Sequence, residues 1–263
     1  MDARNIGLRN IEVADTKISS IDGENGKLIY RGYDILDLVN HSTFEETAYL
    51  LLFGELPDKT ELDEFSYRLK QSRKLPHSLI ANLENKPKTA RPMDVLQSTV
   101  PSLADFDESI YSDTKDDNIQ RAISLISKIP SIVSAWNSIR NGQEIIEPDE
   151  ELKHSANFLY MVFGRKPTFE EVKVFDICLI LHAEHSFNAS TFAAREIAST
   201  RAHMYSCICG ALGALSGELH GGANVEVMKM LFDIHDAKNI ENWIQDKLKE
   251  GKRIMGMGHA VYR

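Results

Sequence analysis

Cysteine is scarce in this sequence: Cys178, Cys207 and Cys209 are all there is. An odd set of three cannot build a disulfide framework and points to a reducing compartment. No stretch of about 18 apolar residues occurs, so no membrane span is expected. The most apolar run, residues 174–183, is short and carries Asp176 and His182. The opening Met1-Asp2-Ala3-Arg4 does not lead from a basic stretch into an apolar one, so a cytoplasmic protein without a secretory leader is expected. Basic charge is in deficit: 30 Lys and Arg stand against 39 Asp and Glu, a net charge of −9. Nucleic-acid footprints are basic, so DNA and RNA are disfavoured as partners. A small anionic ligand is not excluded, because local groups set a site. Repeats, low-complexity tracts and long linkers are also missing.

What is present describes a globular chain. Its 263 residues, 43% hydrophobic and 26% charged, suffice for a core that needs no disulfide or metal. One β signal stands near the start. Residues 16–21 and 27–31 flank Asp22-Gly23-Glu24-Asn25-Gly26, which reads as a small hairpin, with residues 30–34 following as a loop. Beyond it the pattern is helical. Residues 44–53 end at Gly54, with Ser42 or Thr43 as the cap and a Glu three positions on in either case. Further helices are expected over 60–74, 92–103, 118–140, from Thr168 through 182, and over 202–216, 225–235 and 240–249. The 118–140 helix carries a stripe of Ala122, Ile126, Ile129, Val133, Trp136 and Arg140 and a kink expected at Pro130. Residues 105–117, rich in charge, read as an exposed loop. The small residues of 202–216 allow two backbones to approach closely. The fold class is therefore mainly α, and no βαβ alternation supports a Rossmann sheet.

Four segments gather chemistry outside the amphipathic pattern: residues 182–192, 217–224, 256–259 and, more weakly, 89–95. His220 precedes two glycines, which let a ligand approach the main chain. A histidine there can aim a ring N–H at a developing oxyanion if its other nitrogen is held. It can equally be a helix-terminating residue followed by glycine stops, and the pattern alone slightly favours that plainer role. The same two roles stand for His259. His182 and His185, three apart on one helical face, could join Cys207 and Cys209 around zinc. The Cys-x-Cys spacing points its thiols apart, so small core residues are the better description of all three cysteines, as core packing is of Met228 and Met230. Arg91 before Pro92 reads as a solvated loop residue more readily than as an anion site.

The segments also occur in a particular order. His-Ala-Glu-His-Ser-Phe-Asn-Ala-Ser-Thr-Phe-Ala-Ala-Arg (182–195), Leu-His-Gly-Gly-Ala-Asn (219–224) and Gly-Met-Gly-His-Ala-Val-Tyr-Arg (256–263) resemble the citrate synthase family. So do Gly-Tyr-Asp-Ile (32–35), Leu-Leu-Phe-Gly-Glu-Leu-Pro (51–57) and Arg-Pro-Met-Asp-Val-Leu (91–96). The resemblance implies a citrate synthase-like multi-helical fold, with most of a large domain over 1–217 and an incomplete small domain over 218–263. It implies condensation of acetyl-CoA with oxaloacetate to citrate and CoA, with acetyl-CoA a substrate and no cofactor or metal, in a homodimer. In that likeness His220 hydrogen-bonds the thioester oxygen, and Ser190 orients it. His259 polarises the oxaloacetate ketone and protonates the new alkoxide. His185 holds oxaloacetate and Asn188 supports the site. Ile254, Met255, Gly256, Met257 and Gly258 form the loop for the CoA adenine, and Arg263 meets a CoA phosphate.

One departure stands out. The family's general base, an Asp, and its carboxylate-clamping arginines lie C-terminal to the Gly-x-Gly-His segment, and this sequence stops at Arg263. Neither Glu184 nor Asp176 aligns with the base. The expectation is a truncated chain, inactive or nearly so by itself. The alternatives are 2-methylcitrate synthase, using propionyl-CoA, and a non-catalytic helical dimerisation or binding module.

Overall fold

The computed structural model describes residues 14–218 and 220–257. A three-stranded antiparallel sheet opens the chain: β1 (Ser19–Asp22), β2 (Lys27–Tyr30) and β3 (Tyr33–Asp34), in that order. Its first turn forms because the Asp22 carboxylate accepts the Glu24 and Asn25 amides at 3.2 and 3.1 Å, while Gly26 takes a φ of +64°. The hairpin pairs Ser19 with Tyr30 and Ile21 with Leu28. Residues 30–34, expected as a loop, instead return the chain as β3. Arg31 and Gly32 turn through left-handed backbone, φ 48° and 96°, and Tyr33 pairs with Tyr30.

Twelve α-helices follow among the described residues. They are α1 (Ile35–His41), α2 (Phe44–Phe53), α3 (Lys59–Gln71), α4 (His77–Glu84), α5 (Pro92–Thr99) and α6 (Lys115–Asn141), then α7 (His154–Phe163), α8 (Phe169–His182), α9 (Ala189–Ser199), α10 (Met204–Leu215), α11 (Gly222–Ile234) and α12 (Ile240–Lys249). Capping boxes start α2 at Thr43 with Glu46, α3 at Asp58 with Glu61 and α8 at Thr168 with Glu171. Gly54 ends α2 at φ 104°, where a side chain would be strained. The helix expected over 92–103 breaks in two: α5 stops at Thr99 and a 3-10 segment, Val100–Phe106, continues. Pro101 has no N–H for the Gln97 carbonyl, which accepts instead from Cys209 Sγ of α10 at 3.5 Å. Pro130 does not end α6, which runs on to Asn141.

Helix α6 is the axis of the main core. Leu79 and Leu83 of α4, Val95 of α5, Val100 of the 3-10 segment and Tyr205 and Leu212 of α10 close around its Leu125, Ile132 and Trp136. The expected stripe is only part of its buried face: Trp136 is buried and Ala122, Ile126 and Ile129 are half-buried, but Val133 is exposed, whereas Ile123, Leu125, Ser127, Ser131 and Ser134, off the stripe, are buried. A helix packed by neighbours on several sides buries more than one stripe. The smaller cores join the sheet, α1 and α2 to Ile180 of α8, and α2 and α3 to Ile123 of α6. Gly210 of α10 sits against the Ile197 side chain of α9, and Gly213 against that of Gln97 of α5, so the small residues there make room for neighbouring side chains. No helix among the described residues is long and apolar enough to cross a membrane.

The charge-rich 105–117 segment is not a plain solvated loop. It folds over Arg121 of α6, whose side chain is 4% exposed. Arg121 Nε donates to Asp107 at 2.7 Å, and its other nitrogens reach the Ser112 and Ser109 carbonyls and Asn118. Burial pushes the Asp107 carboxyl up, but hydrogen bonds from Arg121 and Ser109 prevail and hold it below the usual carboxylate range. Asp107→Ala would leave the guanidinium buried without its counter-charge. It is expected to cost about 3–5 kcal/mol in urea denaturation. An equally buried group titrates elsewhere. Burial, reinforced by the Arg73 guanidinium, pushes the His154 imidazole from 6.5 down to about 3. Between those values the unfolded chain binds a proton that folded His154 refuses. Stability is therefore expected to fall as pH drops from 6.5 towards 3, with a shallower fall in His154→Gln.

Candidate active site

Helix α8 ends at His182, and its last carbonyls need donors from outside the helix. The Tyr30 hydroxyl, at the inner end of β2, lies 3.1 Å from the Ile180 carbonyl and 2.9 Å from that of Glu184, and accepts the Glu184 amide at 3.2 Å. The Glu184 carboxylate then accepts from Ser19 Oγ at 2.8 Å and from the Ser186 amide. Ser186 is thereby held at a positive φ of 58°, unusual for a residue with a side chain. The segment joining α8 to α9 is thus tied to the sheet at two points, and His185, half-buried, lies within it.

Asn188 caps α9: its Oδ1 accepts the Thr191 amide at 2.9 Å. The same oxygen accepts from Ser190 Oγ at 2.8 Å, and Ser190 Oγ lies 2.9 Å from His220 Nε2. His220 stands in the tight passage from α10 to α11. Its amide donates to the Gly217 carbonyl at 3.0 Å, and that of Gly221 to the Leu215 carbonyl at 3.1 Å. A Cβ on Gly221 would run into the Leu215 carbonyl, so glycine is required there. Three residues of the sequence-derived site, Asn188, Ser190 and His220, therefore meet in one chain of hydrogen bonds. The chain fixes one nitrogen of His220, Nε2.

Residues 254–257 form a turn in which the Met257 amide donates to the Ile254 carbonyl at 3.3 Å. Ile254 and Met255 are half-buried and Met257 is exposed. Gly256 takes a φ of +81° beside Val227 of α11. Gly258, His259 and Arg263 lie outside the described residues.

Several expectations are corrected. His182 and His185 do not share a helical face, because α8 ends between them; His182 Nδ1 turns back to the Cys178 carbonyl at 2.7 Å. Among the described residues no three His, Cys, Asp or Glu side chains converge as a metal would require. Cys178 and Met228 are exposed, not core, whereas Cys207 is buried and its thiol is pushed up by that burial. Arg91, by contrast, is the exposed residue expected, paired with Asp94 at 2.7 Å. Helix α9 was missed in the sequence, although Asn188 ahead of it is a strong capping residue. Phe187 was passed over too; Arg195 lies 4.5 Å over its ring.

The comparison with known proteins bears on the same residues. The family model described as "Citrate synthase, C-terminal domain" matches residues 7–263. The chain belongs to the citrate synthase family. It is 42% identical over 261 residues to a citrate synthase of Haloferax volcanii, which covers 97% of this chain and 69% of that protein. It is 43% identical to 2-methylcitrate synthase 1 of Corynebacterium glutamicum, over 98% of this chain and 69% of the relative. In structure it is similar to the citrate synthase of Thermoplasma acidophilum solved as a ternary complex with carboxymethyl coenzyme A and oxaloacetate. That likeness has a TM-score of 0.87 at 32% identity, over 97% of this chain and 68% of the other. The chain thus spans about two thirds of the length of these citrate synthase family relatives.

Tyr30→Phe removes the donor that holds the end of α8. It is expected to destabilise the chain by about 1–3 kcal/mol and to speed hydrogen exchange at the Glu184 amide while α6 stays protected. Unchanged exchange at Glu184 would show that the segment is held by something other than Tyr30.

Proposed function

We propose that this chain carries the machinery for condensing acetyl-CoA with oxaloacetate to citrate and free CoA. The observation that carries the proposal is the Asn188–Ser190–His220 chain, with contacts of 2.8 and 2.9 Å, set within a citrate synthase family fold. As proposed, His220 donates a ring N–H to the thioester oxygen while a base takes a methyl proton, stabilising the enol that forms. The enol carbon attacks the ketone carbon of oxaloacetate. His259 polarises that ketone and protonates the resulting alkoxide. Hydrolysis of the citryl thioester then frees CoA. His185 and Asn188 hold and support the oxaloacetate end. Residues 254–258 take the adenine, and Arg263 takes a phosphate. The reaction calls on no cofactor, since acetyl-CoA is consumed as a substrate. The Thermoplasma relative's two ligands match this pair in chemistry.

Neither Asp176 nor Glu184 is proposed as the base. Asp176 is occupied by the Phe44 amide and Ser155, and Glu184 by Ser19 and Ser186. Residues 1–263 alone are therefore expected to turn over about 10²–10⁴-fold below an ordinary enzyme. The 2-methylcitrate reaction with propionyl-CoA is the second reading, favoured by the Corynebacterium relative. A homodimer is proposed as well. Phe169, Val174 and Leu181 leave α8 with exposed apolar side chains, which a second subunit would cover. Residues 218–263 are proposed to begin a smaller domain, since Ile234 alone is buried among the described residues after Gly217.

Thiol release is the test, measured with acetyl-CoA and with propionyl-CoA, with and without oxaloacetate. Slow release that depends on oxaloacetate and falls at least 10²-fold in His220→Ala is expected. Release indifferent to oxaloacetate, or unchanged in His220→Ala, would refute the assignment.

A further inference from the structure

A hydroxyl has one proton to give, and Ser190 has two neighbours able to take it. Asn188 Oδ1 lies 2.8 Å away and His220 Nε2 lies 2.9 Å away. The orientation of the Asn188 amide is set independently, because Oδ1 also accepts the Thr191 amide at 2.9 Å. With the amide reversed, its NH₂ group would face that N–H, donor against donor. The carbonyl oxygen of Asn188 therefore faces Ser190, and an amide oxygen only accepts. When Ser190 donates to it, the Ser190 oxygen can offer His220 nothing but a lone pair. Nε2 must then carry hydrogen, and a neutral imidazole so protonated has a bare Nδ1.

We infer that Asn188 is a positioning residue that sets the tautomer of His220, by competing with Nε2 for the single Ser190 proton. The inference rests on the reading above, in which His220 donates to a thioester oxygen. Ser190 engages Nε2, so the nitrogen left for that oxygen is Nδ1, and it must carry the hydrogen. The resting arrangement has it on the wrong nitrogen. The donor form arises when Ser190 turns its proton from Asn188 to Nε2. Nε2 gives up its hydrogen to water and Nδ1 takes one from water, so the ring remains neutral and no proton is gained or lost. Asn188 Oδ1 keeps the Thr191 amide throughout, so no buried acceptor is stranded when Ser190 turns away. That second partner makes the switch low in cost. The same asparagine therefore starts α9 and holds the site in its non-donating form until a thioester oxygen draws the proton across.

The test reads the tautomer directly. In the chain labelled with ¹⁵N-histidine, protonated and bare ring nitrogens resonate in separate ranges, and His220 is assigned by the signal lost in His220→Gln. Without substrate, the Nε2–H form is expected. Asn188→Gly keeps a residue suited to the N-cap but removes the competing acceptor, so the signal is expected to move towards Nδ1–H. Ser190→Ala, which leaves the cap intact, should abolish the preference for Nε2–H. A resting Nδ1–H form, or an Nε2–H form that persists in both variants, would overturn the inference. The outcome is separable from the functional reading. A tautomer that follows Asn188 supports the inference even if thiol release ignores His220, whereas a tautomer indifferent to Asn188 defeats it even if His220 proves essential.

Discussion

The Tyr30 hydroxyl lies within hydrogen-bond reach of the Ile180, Leu181 and Glu184 carbonyls at the end of α8, where the Ile180 carbonyl also accepts the Ala183 amide. Because Tyr30 is wholly buried, those hydrogen bonds form away from water, where an unpaired carbonyl is costly. The consequence passes along the chain. Tyr30 holds Glu184, Glu184 holds the strained turn at Ser186, and that turn delivers Asn188 to the start of α9. From there Ser190 meets His220, which arrives from the other side through the glycine passage after α10. A short sheet that looks peripheral is thus the anchor of the candidate site.

The site is also shaped by packing that carries no chemistry. Helices α9 and α10 bear Ser190 and lead to His220, and they close on one another where Gly210 meets Ile197. Helix α10 is bound to the main core through Tyr205 and Leu212, and to the end of α5 through Cys209 and the Gln97 carbonyl. A Cβ on Gly210 would meet the end of the Ile197 side chain, which would have to move. The geometry of a 2.9 Å contact is therefore an outcome of how small residues let two helices approach.

Much of this was legible beforehand where the signal is local. The boxes at Thr43 and Thr168, the stop at Gly54 and the hairpin turn at Asp22 each depend on residues within a few positions of one another, so a linear reading finds them. The ordered motifs likewise named His185, Asn188, Ser190 and His220 without any coordinates. Misreadings arose where a distant partner decided. The stripe on α6 found Trp136 but missed Ile123 and Leu125, because helices on several sides pack against α6. The 105–117 segment looked solvated because Arg121, which draws Asp107 inward, lies on the next helix. Cys178 looked like core because apolar neighbours in sequence do not reveal which face of α8 is covered.

Sequence by itself determined the mainly helical class, the helix ends and the identity of the chemically able residues, because caps, glycines and motifs act through short-range sterics and hydrogen bonding. Only the tertiary structure decided that Ser190 has two acceptors for one proton, that Asp176 and Glu184 accept hydrogen bonds from Phe44 and Ser19, and that Tyr30 holds the turn after α8. The deciding contacts, Ser190 to His220, Tyr30 to Glu184 and Ser19 to Glu184, join residues 30, 154 and 165 positions apart, and they close only when the helices pack.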